Sequence, residues 1–149
     1  SVPATVTIPA GSSSVNVQVT GVGEGDTTVT ANAVGYTAAP DLSIRTVEPQ
    51  LVFSGPSNTT VGGQSNFTVS LSVTGSAYPS NQTVVAPTSV AFTSSAPGVA
   101  TVPATATITA GQRTTSTLLL TGIAAGTTTV TASGAGMLSA TSAVVTVAP

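Results

Sequence analysis

Hydrophobic and polar residues alternate along much of this chain, most clearly between residues 66 and 73. Here Phe67, Val69, Leu71 and Val73 are separated by single Thr or Ser residues. Because successive side chains of a β-strand point to opposite faces, this pattern predicts a strand with one face in a core and the other in solvent. Gly and Pro are frequent between such stretches, which indicates short strands and tight turns rather than helices.

The same alternation predicts the other strands of a domain in the last two thirds of the chain. One short strand is expected in LVFS, and others in SVAFTSS, GVATV, TATITAG, STLLLTG, GTTTVTASG and SAVVTVAP. About seven short strands broken by Gly, Pro and Ser-Asn turns are typical of a β-sandwich, so the predicted fold class is all-β. The side chains expected to form its structural core are Phe67, Leu71, Phe92, Leu118, Leu120 and Val130.

An internal repeat links the beginning of the chain to its last third. The stretch SVPATVTIPAG, which starts at Ser1, returns as TVPATATITAG from Thr101. One extra residue then enters the second copy, so that TGVGEGDTTVT from Thr20 matches TGIAAGTTTVT from Thr121. Self-similarity at a fixed period is typical of proteins built from repeated domains.

The repeat ends at matching prolines and leaves the middle of the chain without a counterpart. TVEP, ending at Pro49, matches TVAP, ending at Pro149, whereas residues 50–100 occur once. The sequence therefore predicts the C-terminal half of one repeat in residues 1–49 and a complete repeat in residues 50–149. About 100 residues is a normal size for one domain.

The composition argues against several classes of function. Only 4% of the residues are charged, and the net charge is -2. Two arginines without any Lys cannot neutralise a run of phosphates, so nucleic acid is not an expected partner. His and Cys are absent, so the many Ser and Thr hydroxyls lack the usual activating base. We therefore expect no enzyme activity, no catalytic residue, no cofactor and no metal.

The sequence also argues against membrane insertion, and it gives little support to a Ca²⁺ site or a glycan site. Thr or Ser interrupts every apolar run, so no stretch reaches the length of about 18 residues that spans a bilayer. Glu24 and Asp26 offer oxygens to Ca²⁺, but this ion needs six to eight ligands, and a solvated turn is the favoured interpretation. Tyr36 and Tyr78 lie in predicted turns and are candidates for stacking on a glycan, although lone tyrosines are more often loop anchors.

The stretches TSSAPGVATVPA and GIAAGTTTVTA resemble bacterial immunoglobulin-like (Big-type) domains, the tandem modules of secreted and cell-surface proteins and adhesins. The resemblance covers residues 50–149 in full and residues 1–49 in part. It implies immunoglobulin-like Greek-key β-sandwiches in tandem, an extracellular or cell-surface location and a non-enzymatic structural or spacer role in a surface, stalk or filament protein. The family usually has a Trp where this chain has Phe92.

The partial first repeat raises the question of what completes it. Its inward residues Val15, Val17, Val19 and Val29 would lack the first strands of a sandwich, and about 50 residues bury too little apolar area to fold alone. Either residues before Ser1 in the natural chain supply those strands, or another chain supplies them by β-augmentation or domain swapping. We favour the first alternative because repeat arrays are common.

The expected partners are therefore adjacent repeats of the same chain or other copies of it. Two further functions stay open: a subunit of a polymer assembled by strand complementation, and an adhesive module that binds a glycan or a host protein. A contact over Val15, Val17 and Val19 would mark the polymer. Loss of ligand binding on changing Tyr36 or Tyr78 would mark the adhesive module.

Overall fold

The computed structural model describes residues 1–73 and 83–149, and these residues form β-strands and no helix. The described chain divides into two compact units, residues 1–47 and residues 48–149. The boundary between them lies two residues before the repeat boundary that the sequence predicts.

The first unit contains one pair of strands, β1 (Gly25–Val29) and β2 (Leu42–Thr46). They are antiparallel, and Asp26 lies opposite Arg45. Residues 1–24 contain no strand, although their likeness to residues 101–125 predicts strands there. A strand requires a neighbouring strand to take up its backbone hydrogen bonds, and the first unit offers too few partners.

The second unit holds the strands of the sandwich. They are β3 (Gln50–Ser54), β4 (Thr59–Thr60), β5 (Gln64–Ser72), β6 (Thr88–Ser94), β7 (Ala100–Thr101), β8 (Thr105–Ile108), β9 (Leu118–Gly122), β10 (Gly126–Thr128), β11 (Val130–Gly134), β12 (Met137–Thr141) and β13 (Val145–Ala148).

These strands form two antiparallel layers. One layer has the order β7-β9-β5-β3 and the other β8-β6-β11-β12, and a single parallel pair, Leu138 with Gln50, joins the layers at one edge. A small third sheet has the order β10-β13-β4, with β13 parallel to β4. Phe67 of β5 meets Phe92 of β6 edge-on at a ring-centroid distance of 5.7 Å, so side chains of the two layers meet between them.

The core of the second unit lies between these layers. The six side chains that the sequence predicts for the core are all buried. The complete buried apolar set is Leu51, Phe67, Val69, Leu71, Val90, Phe92, Ala100, Ile108, Leu118, Leu120, Val130, Ala132, Val145 and Val147. Their alternation with exposed polar residues follows from the period of two of a strand that is buried on one face.

Side-chain hydroxyl oxygens at the border of this core accept hydrogen bonds from backbone N–H groups. Thr115 Oγ1 accepts a hydrogen bond from Val69 N–H at 3.1 Å, and Ser142 Oγ accepts one from Val130 N–H at 3.0 Å. Among the described residues, no buried side-chain polar atom lacks a partner. Buried polar groups left unpaired are costly, so these hydroxyls make the Thr- and Ser-rich sequence compatible with a dry core.

Candidate interaction face

Charged side chains in the first unit are exposed and do not form a reactive cluster. Arg45 Nε lies 3.6 Å from Asp26 Oδ1, and the two side chains are 67% and 78% exposed. An exposed pair of this kind contributes at most about 1 kcal/mol. Within the described residues, no three His, Cys, Asp or Glu side chains come together as metal ligands would. Asp26 therefore faces an arginine across the strand pair.

Of the two tyrosines that the sequence suggests for glycan stacking, the structure describes only Tyr36. Tyr36 is exposed and its N–H donates to Ala33 C=O at 3.2 Å in a turn of the first unit. Tyr78 lies outside the described residues. No helix in residues 1–73 and 83–149 has the length and apolar character needed to cross a membrane.

An open groove of about 440 Å³ runs along β3 in the second unit. Its lining includes Phe53, Pro56, Thr141, Ser142 and Ala143. None of the lining residues carries a titratable group, so this groove has no side chain that could act as a general acid or base.

The strand pair of the first unit has the register of a pair in the second. Gly25 lies opposite Thr46, and Thr27 lies opposite Ile44. In the second unit Gly126 lies opposite Val147, and Thr128 lies opposite Val145. Every one of these residues is matched by the residue 101 positions later. The match of TVEP with TVAP, which are 100 positions apart, is therefore displaced by one residue from the structural register.

A second contact recurs in both units, with Ser1 matched by Thr101, 100 positions later, and Thr20 matched by Thr121, 101 positions later. Ser1 N donates to Thr20 C=O, and Thr20 N–H donates to Ser1 C=O at 2.9 Å. In the second unit Thr101 lies opposite Thr121. The first unit therefore keeps one residue pair of the ladder that β7 and β9 form in the second.

Glycines with positive φ mark the same turns in both units. Gly11 has φ of 83° and Gly111 has 77°, and Gly35 has 84° where Gly136 has 68°. An L-residue with a side chain adopts this region at a cost, so the turns require Gly at these positions. The two units therefore share turn geometry as well as strand register.

The two units differ in what covers the inward side chains. We call Val17, Val19, Thr27, Val29 and Ile44 the uncovered face. Their counterparts 101 positions later are Leu118, Leu120, Thr128, Val130 and Val145, and all of these are buried. Val17 is 42% exposed and Thr27 is exposed, while Val19, Val29 and Ile44 are half-buried.

Three residues of the uncovered face are already predicted from the sequence as inward-facing. They are Val17, Val19 and Val29, and the sequence also predicts Val15, which is exposed and whose counterpart at the same separation, Ser116, is exposed as well. Thr27 and Ile44 were missed, together with the strand β2 to which Ile44 belongs. The register of β1 against β2 is the signal that identifies them.

Comparisons with known proteins agree with the observed fold. No family model matches the chain, and no curated protein does. Among solved structures, domains 4 and 5 of the S-layer protein SbsC share 21% identity over 89% of this chain and 62% of that one, with a TM-score of 0.49. A longer SbsC structure has 21% identity and a TM-score of 0.50, covering 85% of this chain and 17% of that one.

A glycosyl hydrolase family 2 member from Bacteroides cellulosilyticus is also similar, at 17% identity and a TM-score of 0.51. The match covers 90% of this chain and 19% of that one. The chain thus spans less than two thirds of each of these structures. Similarity at this level of identity supports the β-sandwich fold and does not by itself transfer function.

Proposed function

We propose that this chain is a non-enzymatic structural or spacer module of an extracellular surface, stalk or filament protein made of tandem immunoglobulin-like repeats. The observation that carries the proposal is the strand register that recurs 101 residues apart, Gly25 with Thr46 and Gly126 with Val147. Recurrence of one supersecondary unit within a chain is what a repeat array produces.

The proposed location rests on the resemblance to Big-type domains and on the low charge of the chain. Residues 48–149 carry one acid, Glu48, and one base, Arg113. A surface with so little charge favours self-association, which an ordered surface layer tolerates better than a crowded cytosol does. The SbsC structures are described as those of an S-layer protein, which agrees with a surface location for this chain.

The proposed lack of catalysis rests on chemistry. The chain has no His, Cys or Lys, and the groove along β3 presents no titratable group. Acyl transfer, phosphoryl transfer and metal-assisted hydrolysis all need a positioned base, nucleophile or cation. Packing and interface formation are the functions that we propose for this set of side chains.

Denaturing mass spectrometry of the protein from its natural source tests the tandem arrangement. We expect a mass well above 14.3 kDa, the mass of these 149 residues, with peptides of this chain inside a longer one. Protease treatment of intact cells should release the same peptides if the protein is on the surface. A mass of 14.3 kDa, or release only after lysis, would contradict the proposal.

A polymer assembled by strand complementation is a second candidate, favoured by the exposure of Val17. Light scattering of the purified chain over a wide concentration range separates it from the first. A polymer predicts growth in mass with concentration, and Val17→Ser should prevent that growth.

A further inference from the structure

The buried counterpart of the uncovered face shows what kind of segment would fit it. In the second unit Leu118, Leu120, Val130 and Val145 belong to one buried cluster with side chains from residues 50–100. The largest of these partners are Leu51, Phe67 and Phe92. The first unit presents the same inward positions without such partners, so a segment with the apolar pattern of residues 50–100 has the matching shape and chemistry.

We propose that the uncovered face docks a donor segment with the pattern of residues 50–100, joined to Ser1 within the same chain. The inference rests on the proposed function, since it takes the first unit as part of an array. The junction supports it: Thr101 opposite Thr121 is preceded by Ala100 opposite Gly122, and Ala100 is the last residue of the covering segment. The same ladder, continued by one residue in the first unit, places a donor residue opposite Gly21.

Thr27 is the residue that sets the register of the donor. Its counterpart Thr128 is buried, and its Oγ1 lies 2.9 Å from Ser94 Oγ and 3.2 Å from Ser95 Oγ. Thr128 Oγ1 also accepts a hydrogen bond from Ala96 N–H at 3.2 Å. A donor with a Ser-Ser-Ala turn at the same place would give Thr27 the same three partners.

One glycine of the first unit, Gly25, leaves room for close approach of the donor, as a comparison with the second unit shows. A Cβ at Gly122 would lie 2.4 Å from Thr60 O, and a Cβ at Gly126 would lie 2.9 Å from Val99 Cγ2, so both glycines are needed where the covering segment passes. At Gly25, which corresponds to Gly126, a Cβ would meet no atom within 4 Å. The space that Val99 fills in the second unit is open beside Gly25.

An extended chain tests the docking directly. A second copy of residues 50–100 is placed before Ser1 of the full chain, and hydrogen exchange is followed by mass spectrometry in residues 15–31. We expect exchange in this segment to slow by about a hundredfold or more, because the covered strands must then open before they exchange. Unchanged exchange would overturn the proposal.

Matched variants of the extended chain separate specific docking from general collapse. In the extended chain, Thr27→Val should make residues 15–31 exchange nearly as fast as they do without the added copy. Thr28→Val, on the other face of β1, should leave these residues protected. Phe67→Asp in the added copy alone should abolish protection of residues 15–31. Equal effects of the two Thr variants would overturn the role given to Thr27.

The unextended chain decides the source of the donor. We expect its residues 15–31 to exchange fast at every protein concentration. Protection that grows with concentration would mean that a second copy covers the face and would overturn the assignment to the same chain. The two tests are independent. If the protein from its natural source has a mass of 14.3 kDa, the tandem function is contradicted even when residues 15–31 of the extended chain are protected. If residues 15–31 of the extended chain are not protected, docking is contradicted even when the natural mass is larger.

Discussion

Neighbouring leucines in β9 provide the sharpest contrast between a buried and an exposed residue of the same type. Leu118 is buried in the core of the second unit, while Leu119 points outward and is 42% exposed. Leu118→Ala should lower the free energy of unfolding by about 2–5 kcal/mol through the cavity it leaves. Leu119→Ala should change it by less than about 0.5 kcal/mol. Urea unfolding of both variants measures the difference, and equal effects would refute the orientation of β9.

Thr128 provides a test of polar satisfaction in the same core. Thr128→Val keeps the shape of the side chain but leaves the N–H of Ala96 without its Thr128 acceptor. We expect a loss of about 0.5–1.5 kcal/mol in the free energy of unfolding, the contribution of a lost hydrogen bond, because the N–H of Ala96 keeps its hydrogen bond to Ser94 Oγ at 3.3 Å. Thr127→Val, on the exposed face of β10, is the control and should have little effect, as should be visible in thermal unfolding by circular dichroism.

Strand β4 depends on a glycine of another strand. A Cβ at Gly122 would lie 2.4 Å from Thr60 O and 2.9 Å from Val147 Cγ1, so Gly122→Ala must displace β4 from β13. Hydrogen exchange should then speed up at Val61, whose N–H donates to Ala148 C=O at 2.9 Å. Gly98→Ala is the matched control, because a Cβ there meets nothing within 4 Å. Unchanged exchange at Val61 in Gly122→Ala would contradict this packing.

Alternation along the sequence predicts the strands that are buried on one face. It places β5, β6 and β9 and identifies their inward side chains, because a period of two is visible over five residues or more. It misses β4, whose two residues are too few to show a period, and β12. Strand β12 shows no clear alternation because Leu138 is exposed while Met137 and Ala140 are half-buried.

Two of the strand predictions made from the sequence differ from the structure, because strand pairing depends on residues far away in the chain. The stretch GTTTVTASG reads as one strand, but it is divided at Thr129 into β10, which pairs with β13, and β11, which pairs with β6 and β12. Ser95 binds at the break, donating its N–H to Thr129 C=O and accepting from Thr129 N–H, both at 2.9 Å. The strands expected in residues 1–24 fail for the related reason that strand formation depends on distant partners.

At the scale of the whole molecule, the small number of charges in the second unit predicts that its stability depends little on ionic strength. Glu48 and Arg113 are the charged residues in 48–149. We expect the unfolding midpoint of this unit to shift by less than about 1 °C between low and moderate NaCl, since screening acts on interactions between charges. Thermal scans at fixed protein concentration measure it. A shift of several degrees in either direction would show that electrostatics matters more than this sequence implies.

The parallel pairing of β4 with β13 has a consequence for the second unit under tension. The chain enters β4 at Thr59 and leaves β13 at Ala148, and these strands run in the same direction with Val147 beside Thr59. Tension applied between Thr59 and Ala148 therefore slides these two strands past each other along their axes, whereas tension applied at Glu48 acts first on β3, which precedes β4 in the chain. Hydrogen bonds across the pair are then loaded together in shear and must rupture together, whereas a hairpin opened from its free end would lose them one at a time.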